Sequence, residues 1–251
     1  ASVPEVAKRL QWALGVAVVA ALASGWLAGR IGLVTTIGLA MGWWLVASIA
    51  TDLWGRIRPI HGLSMGERAG RVPRAALGMM AAHLGVAVFI FGVTLVKGFE
   101  QERDVRMAIN DSTTVSGYTF TLRGLKEVAG PNYSAIRGTV EVSRDGKKVM
   151  DMEPEKRVYR VQTMPMTEAA ISTGFTRDLY VSLGEQVDGG AWIVRIYYKP
   201  FVDWIWGGCV IMALGGLLAA TDRRYRSRAA AAADDQAAHG DLRAPQTAAA
   251  S

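Results

Sequence analysis

Four stretches of roughly twenty residues with almost no charge constrain this chain more than any other feature. Residues 10–29, 31–51 and 204–221 contain no Asp, Glu, Lys, Arg or His, and residues 75–96 contain only His83. A hydrocarbon core about 30 Å thick requires about 20 apolar residues in helical form, because lipid offers the backbone no hydrogen-bond partner. Each stretch therefore predicts a membrane-crossing helix. The first follows Lys8 and Arg9 in the manner of a signal peptide, but its apolar run is long and a second run follows almost at once, so it reads as a retained helix. Only Gly29 and Arg30 separate the two, which predicts a tight antiparallel hairpin.

Orientation follows from the cationic residues, which stay on the cytoplasmic side of a membrane when they crowd short loops. Lys8 and Arg9 precede the first run; Arg56, Arg58, Arg68, Arg71 and Arg74 lie between the second and third; Arg223, Arg224, Arg226 and Arg228 follow the fourth. Four transmembrane helices with both termini cytoplasmic put all three clusters on one side. The expected organisation is three helices in 1–97 with a cytoplasmic basic loop at 55–74, a domain at 98–200 on the far face of the membrane (periplasmic in a bacterial inner membrane), a fourth helix at 201–222 and a disordered Ala-rich cytoplasmic tail at 223–251. A net charge of +6 is then mostly topology and contact with anionic lipid, not a footprint for nucleic acid.

Between the third and fourth runs the pattern changes to polar–apolar alternation broken by turn residues, at 118–122, 139–143, 148–152, 157–161, 179–183 and 191–198. Asp145-Gly146 supplies the dipeptide of a tight hairpin. The expected fold is thus an α-helical integral membrane protein with an inserted all-β domain, a small barrel or sandwich of about 100 residues. That domain contains neither His nor Cys, so it builds no zinc site or thiol relay by itself. One cysteine in the whole chain, Cys209, rules out an internal disulfide.

An ionisable side chain inside a bilayer is by default a functional hypothesis. His83 is that residue, with small neighbours at 78, 81, 82, 85 and 87 that admit a second helix or a flat macrocycle. A packed histidine hydrogen-bonded to an adjacent helix, an axial ligand of haem iron and a proton relay all remain open from the residues alone. Trp12, Trp26, Trp54, Trp204 and Trp206 mark span ends, whereas Trp43 and Trp44 fall mid-span, one expected against helices and the other against lipid or a flat ligand. Cys209 is expected as a buried small hydrophobe, Met164 and Met166 as packing in preference to thioether ligands, and Asp203 as an interface marker. His61 and His239 are expected to be solvent-facing.

Three segments carry a family resemblance: Met80 to Val88; Glu168 to Ile171 continuing through Thr176 to Glu185; and Arg195 to Val202 with Trp204-Ile205-Trp206. Together they resemble the C-terminal part of CcmF, the haem lyase subunit of the bacterial cytochrome c-type biogenesis system, over most of 12–226. The resemblance implies that His83 is one axial ligand of a b-type haem, with quinol as a candidate electron donor for haem reduction during attachment to apocytochrome c. It also implies a bacterial inner-membrane location and partners: haem chaperone, delivery proteins and apocytochrome c. The second axial histidine and the tryptophan-rich haem-handling segment of the family have no counterpart here, so a more N-terminal part or companion chain is expected; the initial Ala in place of Met likewise predicts a piece of something longer. Arg177 and Asp178 are expected to stabilise the β-domain, with Arg177 also a candidate contact for a haem propionate. The competing expectation is a non-catalytic scaffold whose β-domain recruits partner proteins. A transporter fragment is disfavoured by the scarcity of ionisable residues in the spans.

Overall fold

The computed structural model describes residues 3–28, 32–58, 62, 64–161 and 164–222. Arg30, His61, the final arginine cluster, His239 and the predicted tail lie outside the described residues.

Five helices are present among them: α1 Val3–Ala28, α2 Leu33–Ile57, α3 Met65–Gly70, α4 Arg74–Phe99 and α5 Val202–Ala220. α2, α4 and α5 are long and apolar enough to cross a membrane. Within α1 the described apolar stretch is Gln11–Trp26. The six-residue α3 was not anticipated. Its start is a capping box, in which Glu67 Oε2 accepts from the Ser64 backbone N–H at 2.9 Å while Ser64 Oγ accepts from the Glu67 N–H at 3.4 Å.

The segment between α4 and α5 folds as two antiparallel sheets. The strands are β1 Gln101–Met107, β2 Ser112–Val115, β3 Tyr118–Ala129, β4 Tyr133–Arg144, β5 Lys147–Met152, β6 Glu155–Tyr159, β7 Pro165–Glu168, β8 Ala170–Ser172, β9 Arg177–Gln186 and β10 Trp192–Pro200. One sheet runs β1-β10-β9-β8; the other runs β2-β3-β4-β6-β7, with β5 also paired to β4. Period-two burial decides which faces meet. Phe120, Leu122, Val140 and Val142 of one sheet and Leu179, Val181, Leu183, Val194 and Ile196 of the other are fully buried in one cluster, which makes the domain a sandwich. Asp145 and Gly146 both take positive φ, 51° and 75°, as the β4–β5 turn requires. β1, β2, β7 and β8 were missed by pattern reading. β1 is a charged edge strand, with Asp104 opposite Arg195 of β10 and a two-bond ion pair between them at 2.8 and 2.9 Å.

The chain divides into two compact units. The first contains 1–19, 42–87 and 208–222. Within it Ile57, Val72, Ala76 and Met80 form a small apolar cluster, supported by Ile49 and Leu53. The second contains 20–41 and 88–207, and therefore the whole sandwich together with the helix ends that carry it. Because Gln101 pairs with Tyr198, the strands that enter and leave the sandwich are neighbours. Its two helical tethers thus start from one edge.

Glu155 is a buried carboxylate in this unit, accepting from Arg137 Nε at 2.6 Å and Arg157 Nε at 2.7 Å. The Arg157 hydrogen bond holds its pKa below the usual carboxylate range; burial opposes this, and Arg137 adds to it. A carboxyl depressed in the folded state stabilises fully above its unfolded pKa of about 4.3, and that contribution fades as pH falls through the lower folded value. Glu155→Gln is therefore expected to lower the unfolding temperature of the full chain at pH 7 and to flatten its dependence on pH below 5. Thermal unfolding followed by near-UV circular dichroism checks both.

Candidate functional site around His83

α4 is built with two different faces. Gly78 and Gly85, seven residues apart, lie against α5 in the first unit: a Cβ on Gly78 would meet the backbone of Gly215 and Ala219, and one on Gly85 the backbone of Gly208 and Met212. Helix backbones approach this closely only where side chains are absent. The next glycine at that spacing, Gly92, meets Trp204 and Ile205 within the second unit. The start of α4 is tied to the end of α5 as well, since the Ala75 N–H donates to Asp222 Oδ2 at 2.9 Å, satisfying one of the free N–H groups of a helix N-terminus.

His83 lies away from that seam. At about 100° per residue it is roughly 140° round the helix from Gly78 and 160° from Gly85. The ring is exposed, beside Met79 and Leu84, which are also exposed. Its Nδ1 is 2.8 Å from the Met79 carbonyl oxygen one turn earlier. A carbonyl only accepts, so Nδ1 is the donor, and in the neutral ring this tautomer leaves the lone pair on Nε2. This is the arrangement by which a backbone acceptor fixes the tautomer and aim of a metal-binding imidazole. The hydrogen bond stays within α4, unlike the cross-helix bond that a purely packed histidine was expected to make.

The other positions singled out by sequence separate clearly. Trp43 is half-buried and Trp44 exposed on α2. Cys209 is exposed, correcting the expectation of burial: Gly208 and Gly215 take up the face of α5 that meets α4, and the residue after Gly208 points elsewhere. Met164, just before the edge strand β7, and Met166 within it are both exposed, so they are not core packing either. No group of three or more His, Cys, Asp or Glu able to hold a metal occurs among the described residues.

Arg177 does stabilise the sandwich, by a route that pattern reading did not supply. Its Nε donates to Tyr118 Oη at 3.1 Å, and Arg144, register partner of Tyr118, donates to the same oxygen from Nη1 at 3.0 Å. Both guanidiniums also lie over the Tyr118 ring, 5.2 and 5.0 Å from its centroid. Burial alone would push the phenol pKa up, but the two arginines outweigh it and hold the pKa below its ordinary value. Since Arg177 belongs to one sheet and Tyr118 and Arg144 to the other, the cluster ties the sheets together. Asp178 is buried beside it and accepts the Gly174 N–H at 3.0 Å.

These features define a membrane protein whose apolar helices carry an inserted β-sandwich. Residues 98–200 match the family model described as the CcmF C-terminal beta-sandwich. Among curated relatives, the cytochrome c-type biogenesis protein CcmF of Pseudomonas aeruginosa is 48% identical over 183 residues, covering 73% of this chain and 27% of that protein. CcmF of Escherichia coli is 46% identical over 194 residues, covering 77% and 29%. A solved structure titled Cytochrome c Heme Lyase CcmF superposes with a TM-score of 0.65 at 17% identity, covering 84% of this chain and 33% of that one. The chain belongs to the CcmF family, of which it represents the C-terminal part; it spans under a third of the length of these relatives.

Proposed function

We propose that this chain is the C-terminal portion of a membrane haem lyase of cytochrome c maturation and that His83 supplies one axial ligand of a b-type haem. The observation that carries the reading is the His83 ring: Nδ1 is 2.8 Å from the Met79 carbonyl oxygen, and the ring is exposed on the face of α4 that does not meet α5. When bound, haem iron supplies one-electron chemistry, here the reduction of haem destined for apocytochrome c, with quinol as the proposed donor. This chain's part is to hold and aim the imidazole through Met79 O, and to keep α4 in place through the glycine seam and the Asp222 cap. Among the described residues His83 alone fits an axial position, and the second ligand is proposed to come from a companion chain or a more N-terminal segment. Haem chaperone, delivery proteins and apocytochrome c are the proposed partners of the whole assembly.

The proposed topology has four spans in a bacterial inner membrane, α1 included, both termini cytoplasmic and the sandwich periplasmic. Arg56, Arg58, Arg71 and Arg74 at the ends of α2 and α4 support it, since α4 runs from that basic segment towards the sandwich. The test is co-purification of the full chain with and without its companion, followed by absorption spectroscopy. A b-type spectrum only in the assembled complex supports the reading; a complete complex with no b-type haem leaves the scaffold alternative.

A further inference from the structure

The loop between β8 and β9, residues 173–176, is held unusually firmly for a segment that displays an aromatic side chain. Asp178 Oδ1 accepts the Gly174 N–H at 3.0 Å, and Gly174 O accepts the Arg177 N–H at 3.2 Å. Two further bonds come from the start of α5: the Phe201 N–H donates to Thr176 O at 3.1 Å, and Trp204 Nε1 donates to Phe175 O at 3.2 Å. Phe201 holds a positive φ of 56°, a conformation rare for a bulky residue, as the chain turns from β10 into the helix. The rings of Phe175 and Phe201 both contact Trp204, with centroids 5.8 and 5.0 Å away. Phe175 is nonetheless 73% exposed. The sandwich core does not use it.

Helix length sets the depth of this cluster. At 1.5 Å per residue the 19 residues of α5 extend about 29 Å, barely the thickness of the hydrocarbon core of about 30 Å. Every turn is needed to cross, so the first turn, with Trp204, sits at the hydrocarbon boundary. Phe175, in ring contact with Trp204, shares that depth. Aromatic side chains favour this layer, where an apolar ring is buried while the backbone around it stays hydrogen-bonded.

We propose that the 173–176 loop is a lipid-contact site, with Phe175 seated in the interfacial layer of the bilayer and the sandwich thereby fixed in height and rotation above the membrane. The site rests on the membrane-spanning role of α5 and is independent of haem ligation at His83. Its occupant is the lipid acyl–headgroup boundary, and the four hydrogen bonds keep the loop in shape whether or not lipid is present.

The experiment places a nitroxide at single cysteines in the full chain carrying Cys209→Ser, reconstituted in phosphatidylcholine–phosphatidylglycerol vesicles. Labels at Phe175→Cys and at the neighbouring exposed Thr176→Cys are compared with one at Asp145→Cys on the distant hairpin turn. Collision with molecular oxygen and with a water-soluble nickel chelate reports depth. The expected result is nickel accessibility several-fold lower at 175 and 176 than at 145, with oxygen accessibility retained. Nickel accessibility at 175 equal to that at 145 overturns the proposal, as does shielding from both reagents, which would assign the loop to a protein contact. Two label positions guard against a local disturbance by one substitution.

Discussion

Replacing His83 by alanine is expected to abolish the b-type haem spectrum of the assembled complex while leaving the chain folded. The two halves of this outcome have separate causes. His83 is exposed and its hydrogen bond goes to its own helix, so truncation opens no cavity and breaks no helix–helix contact. A surface change of that kind shifts stability by no more than about 0.5 kcal/mol. Axial ligation, by contrast, depends on one lone pair that alanine lacks. Added imidazole is expected to restore part of the spectrum, because a free ligand can enter the space the ring leaves. Thermal unfolding of the variant, compared with the parent chain, checks the first half, and absorption of the reduced complex checks the second. A spectrum that survives His83→Ala without added imidazole removes His83 from the haem site.

Sequence reading recovered the elements whose burial pattern is periodic or continuous. The apolar runs of α2, α4 and α5 are continuous over the length of a span, and the alternating strands β3, β4, β9 and β10 bury one face in the sandwich core, so the pattern carries that information directly. β1 was illegible for the opposite reason: as an edge strand it keeps Glu102, Arg103, Asp104 and Arg106 outside, and only its partner β10 makes it a strand. α3 was readable in principle, since Ser64-x-x-Glu67 is a capping signature, but six residues give no periodicity to go with it. The candidate site divides in the same way. His83 stands out because nothing else in its run ionises, whereas the Arg144–Tyr118–Arg177 cluster joins residues far apart in the chain and depends on how two sheets stack. Cys209 was misplaced because hydrophobicity says that a residue avoids water; it does not say whether a neighbouring helix or lipid takes water's place.

Gly215→Ala and Gly216→Ala are expected to differ sharply although the residues are adjacent on α5. A Cβ at 215 would collide with the backbone nitrogen and Cα of Ala82 and the carbonyl of Gly78, none of which can rotate aside as a side chain would. A Cβ at 216 meets nothing within 4 Å. Relief at 215 requires the two helices to separate, and overpacking of this kind costs about 1–3 kcal/mol. At 216 the substitution only replaces a residue that disfavours helix by up to about 1 kcal/mol in water, so it is neutral or stabilising. The leucine pair, Gly215→Leu against Gly216→Leu, widens the gap, because the larger side chain at 216 still points away from the seam. Separation would also pull Asp222 from the Ala75 N–H, loosening the N-terminal half of α4 that carries His83. Heat-induced unfolding of the full chain in detergent measures the difference: a large fall in midpoint for the 215 variants and none for the 216 variants. Equal effects at the two positions would mean that α4 and α5 do not meet through backbone contact at Gly215.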